Sequence, residues 1–89
     1  MENRITERTD LEKTMVVVKH TKRRIQRVVL ASDPYEKTEG EWFVNVAPVD
    51  DPQNIETIAL SVYGIGVEFT SNLYWLELVE NKEQKSEKI

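Results

Sequence analysis

From about Lys13 onward, apolar side chains either alternate with polar ones or gather in short β-branched runs, and polar breaks separate the runs. Met15-Val16-Val17-Val18 is the first run, and Arg23 to Ala31 follows after the short break at His20-Thr21-Lys22. Two such runs so close together predict an antiparallel hairpin, although no Asn-Gly or Asp-Gly sets its turn. Ser32 to Gly40 reads as a loop, opened by Asp33-Pro34 and closed by glycine. Glu41 to Val46 alternates cleanly, with Trp42, Val44 and Val46 on one face and Phe43 and Asn45 on the other. Pro48 and Pro52 bracket the next turn, since neither can donate to a sheet ladder.

The second half continues in the same texture. Ile55 to Tyr63 reads as a strand carrying Ile58, Leu60 and Val62 on one face, although Ile55, Ile58, Ala59 and Val62 also stand at helical spacing. Gly64-Ile65-Gly66 suits a sharp bend or bulge. Val67 and Phe69 alternate around Glu68, Thr70 to Asn72 turns, and Leu73 to Glu80 forms a last strand with Tyr74, Leu76 and Leu78 on one face. Residues 1–11 hold only Ile5 and Leu11 as sizeable apolar anchors after the initiator, which predicts a flexible arm. Residues 81–89 form a charged tail.

The expectation is therefore one small, mainly β domain over residues 12–80, an antiparallel meander of five or six short strands. Open sheet edges are a liability in so small a protein, so the meander should close, or half-close, into a barrel of the SH3-like or OB-like kind. A small α+β fold is the alternative, with one helix from Ile5 to Lys13 or from Ile55 to Tyr63 laid on an antiparallel sheet. With 89 residues, folding buries only about 60–65% of the surface the unfolded chain exposes, which allows one thin core.

Composition narrows the chemistry. The chain has no cysteine and one histidine, His20, which leaves no thiolate zinc site, no disulfide and no thiol catalysis. No metal or cofactor site is expected. No apolar run approaches a membrane span, and none follows a basic start, so a cytoplasmic protein without a membrane partner is expected. Asp50-Asp51 sits between two prolines in a surface turn, where solvated carboxylates make poor acid–base catalysts. His20 reads as a hairpin-turn residue rather than a base. A domain this thin seldom builds a walled pocket, and the expectation is that the protein is not an enzyme.

Charge changes the picture more than composition does. The net charge is −4, but from Lys13 to Arg27 there are six cations and no carboxylate, whereas from Ala31 to Asn81 Lys37 stands alone against ten carboxylates. Either the two halves neutralise each other across paired strands, or the molecule carries one positive edge on a negative body. Lys19, Lys22, Arg23, Arg24 and Arg27 are then candidates for an electrostatic anchor or for phosphate contacts. Adjacent aromatics on strands point to opposite faces, so one member of each pair should face outward. That makes Phe43, Tyr74 and Trp75 candidate protein contacts, rimmed by Glu41, Glu68 and Glu77. The expected role is a non-catalytic protein-interaction module (an adaptor, regulator or inhibitor), with a partner of basic surface. A homodimer is a further possibility for so dipolar a molecule. The alternative is a nucleic-acid-binding protein using the hairpin 13–31. Single-strand recognition wants aromatics beside the cations, and in the sequence the aromatics lie mostly in the acidic half.

Overall fold

A computed structural model describes residues 3–68 and 72–79. It contains six strands: β1 (Val16–His20), β2 (Ile25–Leu30), β3 (Tyr35–Thr38), β4 (Glu41–Pro48), β5 (Glu56–Ala59) and β6 (Trp75–Leu78), with one 3-10 turn at Arg8–Asp10. All pairings are antiparallel and belong to one sheet. The mainly β expectation holds, and neither segment considered for a helix forms an α-helix.

The β1–β2 hairpin pairs Val16 with Val29 through His20 with Ile25. Thr21 does the work that Asn-Gly does elsewhere. Its backbone N–H and its hydroxyl both donate to the Arg24 carbonyl, and the hydroxyl oxygen accepts the Arg24 N–H at 3.3 Å. A threonine side chain thus closes a four-residue turn whose remaining positions are basic.

The segment read as a loop, 32–40, contains a strand. Tyr35 pairs with Phe43 and Thr38 with Glu41, with a bulge near Lys37, and Gly40 takes a φ of 84° to turn the chain between the two strands. Asp-Pro and the charged Glu36-Lys37 concealed it. What holds β3 in place is non-local: the Tyr35 hydroxyl donates to Asn45 Oδ1 at 2.9 Å, and its ring lies 6.3 Å from that of Phe43.

The register fixes the topology. Phe43 pairs with Tyr35 on one side and Ala59 on the other, and Val46 likewise has Leu30 and Glu56 as partners. Strands β2 and β3 therefore lie end to end along one edge of β4, and β5 lies along its other edge. The sheet continues from β2 through β1 to β6. β5 and β6 do not pair, so the sheet is open and the expected closure into a barrel is not present as a continuous ladder.

Part of that opening is occupied by the start of the chain. Ile5 N–H donates to the Leu76 carbonyl and Leu78 N–H to the Asn3 carbonyl, both at 2.8 Å, which lays Asn3–Ile5 along the outer edge of β6. Gly66, at a φ of 74°, then donates its N–H to the Thr6 carbonyl at 2.9 Å. Ile5 and Leu11, 2% and 4% exposed, both join the core with Val17, Val28, Leu30, Val44, Val46, Ile58, Leu60, Tyr63, Ile65 and Leu76. The expectation of a flexible arm at 1–11 is corrected for these residues. Two isolated apolar side chains show no periodicity, yet each fills a separate place in the core.

Two further boundaries shift. The strand expected over 55–63 is confined to β5, because the chain turns at Leu60, whose carbonyl accepts from both Tyr63 and Ile65. Val62, placed on the buried face by alternation, is consequently 49% exposed. Val67 and Glu68 lie in an exposed bend rather than a strand. Phe69 to Ser71 and the tail 81–89 lie outside the described residues.

Truncating Ile5 to alanine should cost about 3 kcal/mol through lost burial and the cavity left behind, while Val62→Ala should stay within about 0.5 kcal/mol. Urea denaturation of the two variants measures both.

Candidate functional site

Residues directly paired across an antiparallel ladder share a face, so the register sorts the sheet into a core face and an outer face. At the hairpin end, one row of the outer face runs Trp75–His20–Ile25 across β6, β1 and β2. The next row runs Glu77–Val18–Arg27. Ile25 is 67% exposed, unusual for so large an apolar side chain at the root of a charged turn.

Three of the five candidate anchor cations, Lys22, Arg23 and Arg24, occupy the exposed hairpin turn, and Arg27 is exposed on the outer face of β2. None of these four forms an ion pair with a described residue. Lys19 is different. Strand alternation places it on the core face beside Val17, it is only 7% exposed, and its Nζ donates to Glu56 Oε1 at 3.0 Å. Its stem runs along apolar wall while the ammonium reaches a carboxylate at the rim, so it is not available for phosphate. β1 and β5 are not ladder neighbours, which makes this pair a tie across the sheet.

His20 is the last residue of β1, not part of the turn. Its ring stacks on Trp75 at 4.2 Å with planes 13° apart, and Nε2 meets Glu77 Oε1 at 2.5 Å. The Arg4 guanidinium lies 5.1 Å from the centre of the Trp75 ring. A cleft of about 370 Å³ opens beside this group, lined among the described residues by Arg4, Asn72, Trp75 and Glu77. Both contacts of the basic strand, Lys19–Glu56 and His20–Glu77, join it to strands from the acidic half. Charge neutralisation between the two halves therefore operates at the Lys19–Glu56 pair, but not at the hairpin turn.

The three candidate contact aromatics do not converge. Trp75 faces outward at the hairpin end. Phe43 also faces outward but lies toward the opposite end of β4, with Lys37 Nζ 5.6 Å above its ring. Tyr74 turns the other way and packs against the core, edge-on to Tyr63 at 5.7 Å. Of the three acidic rim candidates, Glu77 is engaged by His20, whereas Glu41 and Glu68 are exposed elsewhere, at the start of β4 and in the bend after Gly66. The Trp75–His20 stack and the Lys19–Glu56 tie link positions 55 and 37 apart in sequence, and only the strand register brings them together.

Tyr63 is buried in the core, and burial pushes its phenol up to about 12, with the charges of Glu56 and Tyr74 acting in the same direction. Among the described residues no group of three His, Asp or Glu side chains could hold a metal ion, and no helix is long and apolar enough to cross a membrane. Comparison of the chain with protein-family models, with curated proteins and with solved structures returns no match.

Because the folded Tyr63 holds its proton more tightly than the unfolded chain does, its stabilising contribution is complete below pH 10. It is then lost as pH rises toward about 12. Alkaline titration followed by tyrosinate absorbance should show one late-titrating phenol, absent from Tyr63→Phe. That variant should also lose less stability than the parent between those two pH values.

Proposed function

We propose that this chain is a non-catalytic protein-interaction module, an adaptor, regulator or inhibitor, that meets its partner through the outer face at the hairpin end. The observation that carries the reading is Ile25, largely exposed beside the Trp75–His20 stack and among four cations that form no ion pair with a described residue. An apolar and aromatic centre with a charged, solvated rim is the composition of a protein interface. The rim at this face is cationic, so the partner that fits it presents carboxylates around an apolar contact. Unpaired surface cations carry little folding energy, so their value lies in steering and in selecting a partner.

A nucleic-acid reading has one specific observation in its favour: the fold places Trp75 in the row beside the basic hairpin, supplying an aromatic that the sequence order had kept apart. Against it, the Trp75 ring is already contacted by His20 and Arg4, and the β4–β5 turn at the same end of the sheet carries exposed Asp50 and Asp51.

A photo-crosslinking amino acid at position 25 should capture a discrete protein, and the same label at position 62 should not. The capture should disappear when Arg23 and Arg24 are changed to Glu. Anisotropy of labelled single- and double-stranded DNA and RNA, read from low to moderate salt, should show no binding. Steeply salt-dependent binding, lost in the Arg23→Ala, Arg24→Ala, Arg27→Ala triple variant, would replace the protein reading with the nucleic-acid one.

A further inference from the structure

The sheet has three outer edges among the described strands, and they are not equally protected. That of β6 is taken by Asn3–Ile5. That of β3 is broken by the bulge near Lys37 and carries Glu36 and Lys37, two of the devices that keep edges from pairing. β5 has neither bulge, proline nor lysine, and its one charged residue, Glu56, is held toward Lys19.

The hydrogen-bond parity of β5 shows what this edge offers. Leu60 N–H donates to the Trp42 carbonyl at 3.0 Å. In an antiparallel ladder alternate residues bond to a given neighbour, so Ile58 and Glu56 bond to β4 as Leu60 does. The N–H groups of Thr57 and Ala59, with the Thr57 carbonyl, are left facing the open side. The Ala59 carbonyl is occupied by Val62 N–H at 3.2 Å. Two exposed apolar side chains, Ile55 and Val62, flank this edge at 56% and 49% exposure. Asp50 and Asp51 stand exposed in the turn that leads into it.

We infer that the outer edge of β5 is a strand-addition site for an extended, basic segment of another protein. The segment's main chain would pair with Thr57 and Ala59, its apolar side chains would lie over Ile55 and Val62, and its cations would meet Asp50 and Asp51. A nucleic acid has no backbone that could complete this ladder. The hairpin-end face is a separate surface, so the failure of either reading leaves the other standing.

The test uses the full chain, amide NMR and a synthetic peptide of alternating lysine and valine, with an alternating glutamate and valine peptide as its counterpart. The basic peptide should shift the Thr57 and Ala59 amides and slow their hydrogen exchange, and the acidic one should not. Ala59→Pro removes one outward donor without touching the bonds to β4, at a position preceded by an already extended residue. It should weaken binding about tenfold, the loss of one backbone hydrogen bond. Thr57→Lys, which adds a repelling cation while leaving the backbone unchanged, should weaken it as well and guards against a misfolded proline variant. Equal binding of both peptides, no binding up to the solubility limit, or shifts confined to other strands would overturn the inference. So would self-association of the peptide-free protein that Ala59→Pro abolishes, since the occupant would then be a second copy of this chain.

Discussion

Strand β1 is held between β2 and β6 in a register that turns Val17 and Lys19 inward and Val18 and His20 outward, and most of the molecule's character depends on that alternation. Val17 is fully buried, paired with Val28 on one side and Leu78 on the other. A slip of one residue would exchange the faces, sending the His20 ring into the core and stripping the ammonium of Lys19 from Glu56. The apolar core defines the inward set. The Lys19–Glu56 and His20–Glu77 contacts, one on each face, then penalise the alternative registers. The Lys19–Glu56 pair is buried only at its lysine end and is weak evidence for net stability, but removal of Glu56 leaves the Lys19 ammonium without compensation.

The same alternation divides the basic run by role. Lys19 is consumed inside, Arg27 stays outside, and Lys22, Arg23 and Arg24 ride on the turn. In sequence the six cations between Lys13 and Arg27 look like one block. In the fold they become a structural tie at Lys19, an exposed patch of four at the hairpin end, and Lys13, exposed before β1 at the other end of the strand. The acidic half is divided in the same way: Glu56 and Glu77 answer the basic strand, while Asp50, Asp51, Glu41 and Glu68 stay in solvent.

What could be read from the sequence was whatever depended on neighbours along the chain. The β1–β2 hairpin, the alternation of β4, the two prolines around the β4–β5 turn and the glycine corner all have local signatures, and all appear. β3 was hidden because its stability comes from Tyr35 reaching Asn45 and Phe43 on another strand, while its own residues look like a loop. Ile5 and Leu11 were hidden because a lone apolar residue in a polar segment carries no period. The candidate site suffered most. Which of two adjacent aromatics faces outward depends on register, and register placed Trp75 with His20 and turned Tyr74 toward Tyr63.

The first described residues of the chain bond to its last described strand, through Ile5 to Leu76 and Leu78 to Asn3. A ribosome delivers Leu76 and Leu78 long after Asn3 and Ile5. Ile5 therefore emerges with an apolar side chain and an unpaired amide that have no native partner until β6 has cleared the exit tunnel. Contacts this distant in sequence tie folding to a slow, late closure, and the nascent chain must stay soluble meanwhile. The charge-rich residues around Ile5, four of them between Glu2 and Asp10 besides Arg4, are well suited to that interval.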